Sequence, residues 1–449
     1  MNKLALTIIC LLSSFVHANA ATQVSGQIRS NTTWTKAGSP YVLNGTIEIE
    51  DGFTLTIEPG VVIECDERID VYGYLQASGT TADSITFKPK KGKEWWGGLR
   101  FYQKKSDTLR FQYCHFENQG QVMLHFDIMH IYISNSYFNN ASIVVDNKWG
   151  PHGSLIIENS KFMYSHIRAG GVEMFIMKDN FVTASIYAEH TTNARFYRNN
   201  INGGTYGIKC HATNAEIVDN IIANTTGIAL DIVLSKLDRD IPCSGNIIAH
   251  NKHIGLNTNM AWGLVKGNSI YDNKIGVAHS FYPADSQLTY EDNCIYDNDS
   301  LNFYNYSGAD YHIARNWWGT IDSSVIESTI YDNTDDFKRG RVTFMPILQA
   351  NTTCQTYTPP AKIFEQEKLI AKIGIYPNPF NESFTVKTTD NTTLQRVFVY
   401  NLVGKRIANV SAGNKQQVTI DATSQPPGMY LYVAITSDNQ TITGKIVKD

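Results

Sequence analysis

An asparagine followed by an apolar pair or triplet recurs about every 22 residues through the middle of the chain. The apolar runs are short, alternate with polar residues and lack the three- and four-residue spacing of an amphipathic helix. A unit this small cannot bury an apolar face alone, so it must stack on copies of itself. The recurring asparagines are Asn135, Asn159, Asn180, Asn200, Asn220, Asn246, Asn268, Asn293 and Asn316.

Stacked copies place equivalent residues above one another at the strand spacing of about 4.8 Å. Asparagine tolerates the left-handed conformation of a tight turn, and its amide can bond to equivalent amides above and below. We therefore predict that the whole asparagine set is a structural ladder and is not catalytic. About ten residues after these asparagines comes a small residue followed by an apolar one, as in Ser185-Ile186 and Gly207-Ile208.

This repeat resembles the right-handed parallel β-helix family, the pectin-lyase-like group with asparagine ladders. Leu55–Val61 and Trp96–Leu99 are similar to the entry coils of that family, and Asn316–Gly319 is similar to its last coils. The resemblance implies an all-β protein in which residues 21–350 form a right-handed parallel β-helix of about a dozen coils. It does not imply one activity, because function depends on sites grafted onto a fold.

The amino terminus is typical of a secretory signal peptide over residues 1–20. Lys3 precedes an apolar run that ends in Ala18-Asn19-Ala20, and the run is too short to span a bilayer. No later segment is long and apolar enough to predict a transmembrane span. The formal charge is −4, without a basic excess, so nucleic acid is not an expected partner. Disulfides are allowed after export, but we predict most cysteines to be buried apolar residues.

The residue composition and the hydrophobic pattern change after residue 350. Residues 351–372 are polar and charged and predict a linker, whereas 373–449 alternate apolar residues with turn residues and predict a small Ig-like β-sandwich. This end resembles the type A C-terminal sorting domain of type IX secretion. The resemblance implies recognition by the outer-membrane translocon, and by a sortase. It is carried by four ordered motifs that contain Tyr376, Pro377, Asn378, Pro379, Gly404, Gly428, Tyr430, Lys445 and Lys448.

Aligning the small–apolar pairs of successive coils predicts which side chains point outward. With Ile143, Ile167, Ile186, Ile208 and Ile228 turned inward, alternate positions face solvent. One outward column then contains Asp146, Gly170, Glu189, His211 and Asp231. The neighbouring column contains Val144, Arg168, Tyr187, Lys209 and Ala229, and His190 lies beside both.

These columns allow several chemistries. Glu189 and Asp231, about 9.6 Å apart by strand spacing, would suit an inverting glycosidase. Alternatively, Lys209 or Arg168 would be the base of a β-elimination on a uronic acid, with Ca²⁺ as a possible aid and otherwise no cofactor. Tyr187 and His190 would contact the sugar. No metal-ligand spacing is present.

The simpler interpretation is a solvated sheet face whose charges pair across coils. We therefore expect an exported, surface-displayed or released scaffold that binds glycans or another extracellular surface. A polysaccharide lyase or glycoside hydrolase on the same face is the alternative, and an adhesin-like stalk is the third. The sequence alone leaves the question of catalysis open.

Overall fold

The computed structural model describes residues 21–102, 108–119, 121–124, 130–146, 152–237, 243–280, 288–351, 354–358, 373–388, 393–401, 406–437 and 441–449. The predicted leader, 1–20, lies outside them. The chain divides into two units, Met1–Tyr357 and Thr358–Asp449. No helix among the described residues is both long and apolar enough to cross a membrane.

The first unit is a parallel β-solenoid of about 11 turns, which confirms the predicted fold class. Each full turn contributes one strand to each of three sheets. The first sheet contains Thr32–Trp34, Thr54–Ile57, Tyr74–Ser78, Thr108–Gln112, His130–Ser134, Ser154–Glu158, Met174–Lys178, Asn193–Tyr197, Asn214–Val218, Lys236–Leu237, Cys243–Ser244, Gly263–Lys266 and Leu288–Glu291.

The second and third sheets are joined at the start of the solenoid, where Thr22–Ile28 and Tyr41–Ile49 belong to both. The second contains Val62–Cys65, Ile85–Pro89, Cys114–Glu117, Tyr137–Asn139, Lys161–Met163, Phe181–Val182, Asn200–Asn202, Ile221–Ala223, Ile247–Ala249, Ser269–Tyr271 and Cys294–Tyr296. The third contains Arg68–Val71, Gly98–Phe101, Gln121–Leu124, Ser142–Asp146, Ile167–Gly170, Ile186–Glu189, Ile208–His211, Leu230–Val233, Ile254–Asn259, Ile275–Ser280, Leu301–Asn305 and Ile330–Tyr331.

A few short elements complete this unit. The 3-10 helix Lys36–Gly38 lies near its start, and the α-helix Ser323–Glu327 lies near its end. Tyr311–His312 and Val342–Thr343 pair as a two-stranded sheet.

The interior of the solenoid is filled by like residues stacked in register. On the second sheet, the rings of Phe87, Phe116, Phe138 and Phe162 stack with centroids 4.6–4.8 Å apart. Aliphatic residues continue that column, beginning with Val182. Most strands alternate these buried residues with more exposed ones, which is the pattern that predicted strands, whereas Ile247–Ala249 is buried throughout.

An amide ladder lies at the corner between the first and second sheets. Each asparagine donates through Nδ2 to Oδ1 of the next, over 2.8–3.0 Å, and Oδ1 also accepts the backbone N–H of the turn below. Its members are buried: Asn180, Asn199, Asn220, Asn246, Asn268, Asn293 and Asn316.

Three predicted ladder positions are therefore corrected by one residue. Asn199, and not Asn200, occupies the ladder. Asn135 and Asn159 have the left-handed φ of 51° and 48°, and the following Ser136 and Ser160 supply the ladder bonds. The prediction assigned turn conformation and amide stacking to one residue, whereas the fold places them at adjacent positions.

A second, shorter ladder was not predicted. Asn251, Asn273, Asn298 and Asn302 are linked by Nδ2–H···Oδ1 bonds of 2.8–3.0 Å. Thr225 begins this ladder, because its hydroxyl and backbone N–H both donate to Asn251 Oδ1 at 2.9 Å. The repeated Asn-Lys and Asn-Asp pairs that follow the second-sheet strands were the available sequence signal.

The chain just after residue 350 is attached to the solenoid. Cys354 forms a disulfide with Cys294. Gln355 N–H donates to Ser269 Oγ at 2.7 Å, and Tyr357 N–H donates to the Tyr271 hydroxyl. The first part of the predicted linker thus lies on the second sheet. The other described cysteines, Cys65, Cys114, Cys210 and Cys243, are free and buried.

The second unit has two antiparallel sheets around its own core. The three-stranded sheet contains Ile373–Tyr376, Ser383–Thr388 and Gln417–Asp421. The four-stranded sheet has the order Arg406–Lys415, Leu394–Asn401, Gly428–Thr436 and Thr441–Lys448.

The ladder can be tested with two adjacent asparagines. Asn199→Ala removes a buried amide that accepts from Asn180 and donates to Asn220. Each buried group left unpaired costs about 1–3 kcal/mol, so we expect the free energy of unfolding to fall by about 2–5 kcal/mol. Guanidinium denaturation followed by circular dichroism measures this change.

Asn200→Ala is the matched control for that measurement. The Asn200 Oδ1 atom has no hydrogen-bond partner among the described residues, so we expect a change below about 1 kcal/mol. Equal losses in the two variants would contradict the assignment of the ladder to Asn199.

Candidate functional site

The outward side chains of the third sheet form a continuous row along the solenoid. Successive strands pair Arg168 with Tyr187, Tyr187 with Lys209, Lys209 with Asp231 and Asp231 with Asn257. We call these five residues the axial column. Consecutive members are one turn apart, about 4.8 Å by strand spacing. The sequence predicted Arg168, Tyr187 and Lys209 in one column, as observed. The next observed member is Asp231, whereas Ala229 was predicted.

Asp231 is the residue whose place differs. The strand register pairs Ile208 with Leu230, and not with Ile228 as predicted, so Asp231 follows Lys209 in the axial column. Val233 takes the place beside His211 that was predicted for Asp231. Ala229, predicted to point outward, is fully buried.

Two differences of one residue each produce this change: Asn200 pairs with Ile221 and not with Asn220, and the turn that follows is one residue longer. Residues 224–229 separate the strands Ile221–Ala223 and Leu230–Val233, whereas only 203–207 separate the equivalent strands one turn earlier. Both Gly227-Ile228 and Ala229-Leu230 fit the small–apolar pattern. Sequence alignment alone could not choose between them.

The charges at the start of the column pair with each other. Arg168 donates to Glu189 Oε2 from Nε at 3.0 Å and from a terminal nitrogen at 2.8 Å. Glu189 belongs to the neighbouring outward column, between Gly170 and His211. Because the pair is partly solvent-exposed, its contribution to stability is small. Neither group is a free catalytic acid or base in this arrangement.

Aromatic and cationic groups surround Tyr187. The rings of Tyr187 and Tyr206 lie 6.0 Å apart in an edge arrangement, and Lys209 Nζ lies 5.1 Å from the Tyr206 ring centre. The exposed His190 has a left-handed φ of 51°, and its ring lies 5.1 Å from that of His211. Tyr206 was not predicted, because it lies in a turn and not in the strand pattern.

Asp231 is the unusual group of the column because only 4% of it is exposed. It accepts a hydrogen bond from Asn257 Nδ2 at 2.7 Å. Burial raises the pKa of its carboxyl above the ordinary value, against the opposing effects of Asn257, Lys209 and His211. A buried carboxylate beside a cation is a recurring feature of acid–base sites and of structural ion networks.

This register weakens the inverting-glycosidase pairing. Glu189 and Asp231 are two turns apart and also two residues apart along the strands. Their backbones are therefore roughly 12 Å apart by strand spacing and rise. This separation exceeds the ~6.5–9.5 Å expected between the carboxyl groups of inverting enzymes.

A second aromatic group lies further along the same row. Ala278 pairs with Tyr304, and Tyr304 pairs with Tyr331, so both tyrosines continue the axial column. The Tyr304 ring lies 3.8 Å from that of Tyr306, and the Arg339 guanidinium lies within 6 Å of both ring centres. Counting outward positions beyond Asn257 would have found this group.

Calcium does not fit the side chains of this face. In the described part of the chain, no three or more His, Cys, Asp and Glu side chains are grouped so that they could hold a metal ion. Asp231 and Asn257 supply only two oxygen-bearing side chains, whereas Ca²⁺ takes six to eight oxygen ligands. We therefore derive no step through a metal.

In the second unit, several motif residues make internal contacts. Asn378 Oδ1 accepts the Val447 N–H at 2.9 Å. The Tyr430 hydroxyl donates to the Pro426 carbonyl at 2.5 Å. Lys448, 8% exposed, donates to three backbone carbonyls, those of Ala422, Thr423 and Gln425.

The remaining predicted motif residues have varied positions. Tyr376 and Lys445 are exposed, and Gly428 has a φ of 146°. Pro377 and Pro379 flank Asn378 in an exposed segment. Gly404 lies outside the described residues.

Residues 374–449 match the family of secretion system C-terminal sorting domains. The chain is therefore an exported protein that passes through type IX secretion to the cell surface or the medium. This finding confirms the predicted sorting domain and the predicted localisation.

One curated relative is the ulvan lyase NLR42 of Nonlabens ulvanivorans. It is 30% identical over 79 residues, which are 17% of this chain and 14% of the lyase. The match thus spans a small part of either protein.

Three solved structures match the chain at low similarity. The mannuronan C-5 epimerase A-module of Azotobacter vinelandii is 12% identical, with a TM-score of 0.24 over 74% of this chain and 92% of that one. The tailspike of E. coli bacteriophage HK620, in complex with a pentasaccharide, is 10% identical with a TM-score of 0.25 over 95% and 86%. A tailspike capsular polysaccharide depolymerase of Acinetobacter baumannii bacteriophage Fri1 is 11% identical with a TM-score of 0.20 over 91% and 64%.

The burial of Asp231 predicts a pH-dependent change in stability. Its folded-state pKa is raised, so its contribution to stability is complete below the unfolded pKa and is lost as the pH rises through the folded pKa. Asp231→Asn keeps the shape and removes the charge. We expect its thermal midpoint to exceed that of the unaltered protein by a few degrees at neutral pH, and the difference to vanish near about pH 4.

Asp146→Asn is the control, because Asp146 is a less buried carboxylate on the same sheet. Thermal melts across pH compare the two variants. A stability gain in Asp231→Asn that does not change with pH would contradict a charge effect.

Proposed function

We propose that the exported β-helix binds an extracellular polysaccharide along the axial column. The observation that carries this proposal is the unbroken outward register from Arg168 to Tyr331. The exposed and partly exposed groups of this row lie at multiples of about 4.8 Å, a spacing comparable to the length of one sugar unit in an extended chain. They are Arg168, Tyr187, Lys209, Asn257, Tyr304 and Tyr331. Asp231 and Ala278 are the buried positions of the row, so a linear polymer would contact the groups on either side of them.

Two aromatic groups support the proposal at separate points of the row. Tyr187 with Tyr206 forms one, and Tyr304 with Tyr306 forms the other. Tyr187 and Tyr304 are five turns apart, about 24 Å by strand spacing. Tyrosine presents an apolar ring and a polar hydroxyl, which suits the apolar faces and hydroxyl groups of sugars.

Each aromatic group has a cation beside it. Lys209 lies over Tyr206, and Arg339 lies over Tyr304 and Tyr306. Positive charge next to a stacking surface favours sugars that carry carboxylate or sulfate groups. The proposed ligand class is thus an anionic polysaccharide, bound lengthwise on the third sheet.

The double variant Tyr187→Ala/Tyr304→Ala tests this proposal. Losing both rings removes about 0.5–1.5 kcal/mol of aromatic interaction at each, so we expect affinity to fall about tenfold or more. Affinity electrophoresis and calorimetry with uronate-rich, sulfated and neutral polysaccharides measure this fall.

The matched control is Tyr132→Ala, because Tyr132 is a partly exposed strand residue on the first sheet that also lies beside an arginine. Its affinity is expected to match that of the unaltered protein. If no polysaccharide binds, or if both changes weaken binding equally, the axial column is not the binding surface and the stalk interpretation gains support.

A β-elimination on the same surface is the second candidate, and buried Asp231 beside Lys209 is the observation that favours it. In such a step, a base removes the proton next to a uronate carboxylate. The electron pair forms a C=C bond, the C–O bond to the neighbouring sugar breaks, and the leaving oxygen takes the proton that the base removed. Asp231 would be the base, and Lys209 would neutralise the uronate carboxylate.

Absorbance of the unsaturated uronate product, followed together with reducing ends, tests this candidate. If it is correct, Asp231→Asn and Lys209→Ala each lower the rate at least about a hundredfold, while the control Lys178→Ala on the first sheet does not. Saturable binding without any product would support the binding scaffold and exclude the lyase activity.

For export, we infer that the outer-membrane translocon recognises residues 374–449 and that a sortase removes them. The family match to this segment supports the inference. Mass spectrometry of the cell-surface form is expected to detect peptides from the solenoid and none from residues 374–449.

A further inference from the structure

The second unit has one exposed apolar sheet face. In the strand Gly428–Thr436, Tyr430, Tyr432 and Ala434 point into the core. The alternate residues point outward, and they are also apolar: Met429, Leu431, Val433 and Ile435. Met429 is 42% exposed and Leu431 38%. A central strand that is apolar on both sides predicts a partner for the outer side.

The neighbouring strand widens this surface. Phe398 pairs with Val433, and Tyr400 pairs with Leu431. Both rings are partly exposed. We call the six residues Met429, Leu431, Val433, Ile435, Phe398 and Tyr400 the outer apolar patch.

Cationic side chains lie at the border of the outer apolar patch, and the strands that carry them contain no carboxylate. The guanidinium groups of Arg396 and Arg406 lie 6.0 Å and 5.8 Å from the Phe398 ring centre. Lys445 is exposed and pairs with Leu431 from the other side. The four strands of this sheet contain no Asp or Glu.

The opposite outer face has a different character. On the three-stranded sheet, the hydroxyl groups of Thr385 and Thr419 form a hydrogen bond of 2.9 Å, and Lys387 is exposed beside them. The outward residues of Ser383–Thr388 and Gln417–Asp421 are thus polar or charged, unlike those of the strand Gly428–Thr436. The polar groups of Asn378, Tyr430 and Lys448 form hydrogen bonds within the unit, so these motif residues stabilise its fold.

We propose that the outer apolar patch is the surface by which the sorting domain docks on the secretion machinery, against a protein surface that is apolar at its centre and acidic at its margin. The cationic border, free of carboxylates, complements such a partner. The apolar residues lie in one flat, central row with the cations at its edges, which is the anatomy of a protein interface. A polybasic membrane site instead requires a dense cluster of cations. The inference depends on the sorting-domain match and is independent of polysaccharide binding.

The test expresses the full chain in a bacterium that has type IX secretion and measures its distribution between periplasm and cell exterior. Met429→Ser/Leu431→Ser removes the centre of the patch, and Lys445→Glu reverses the charge at its border. Truncating central anchors of an interface costs about 2 kcal/mol or more, so we expect the exported fraction to fall at least about tenfold in the double variant. Lys445→Glu should produce a smaller fall.

Lys387→Glu is the control, because it makes the same charge change on the opposite sheet, and it should be exported normally. The periplasmic form of each variant is checked for protease resistance of residues 374–449, so that unfolding is recognised. Folded patch variants that are exported like the unaltered chain would overturn the proposal. Folded variants that accumulate while Lys387→Glu is exported would support it.

A lipid partner is distinguished by a second measurement on the purified full chain. Vesicles that contain anionic lipopolysaccharide are sedimented with each variant. Vesicle binding that needs the patch, together with normal export of the patch variants, would assign the patch to the membrane and overturn docking on a protein. Loss of export without any vesicle binding supports the protein partner.

Discussion

Hydrogen bonding between successive turns is the interaction on which the rest of the solenoid depends. Each strand satisfies its backbone with the turns above and below, and the buried amides extend this pairing around a corner where no strand continues. At that corner, Asp219 has a left-handed φ of 56°, and Asn220 Nδ2 donates to both the Phe196 carbonyl and Asn246 Oδ1. Because this corner is fixed in successive turns from Ser136 to Asn316, the outward side chains of the third sheet are held in one row over these turns.

The period of the repeat was enough to predict the fold, because it depends on many turns and tolerates small errors. Individual positions were less secure. Asn200 and Asn199 are adjacent, and only the buried amide bonds of Asn199 distinguish them. At Asn135 and Asn159 the left-handed turn was predicted correctly in kind, but a serine supplies the ladder oxygen. The repeat determines the spacing between the members of a column. The length of each turn determines which residue occupies the column.

The candidate site was more sensitive to such errors than the fold. Lys209, Tyr187 and Arg168 were predicted in their observed column, because aligning the small–apolar pairs matched Ile167, Ile186 and Ile208 as the strands do. Asp231 was assigned to the wrong column, because the predicted register of its strand was wrong by two residues, which keeps a side chain on the same face but changes its neighbours. The contact of Tyr206 with Tyr187 could not be predicted, because Tyr206 lies in a turn outside the strand pattern.

Lys448 illustrates how a sequence motif can arise from folding and recognition together. Its ammonium has three donors, and three backbone carbonyls accept them where the chain ends. An apolar residue could fill the same space but would leave those carbonyls unpaired, so a lysine is required by the fold. Lys445, three residues earlier, lies exposed beside Leu431 and is not buried in the core. One motif therefore contains a lysine that anchors the last strand and another that remains available to a partner, and the two become distinguishable only when burial is known.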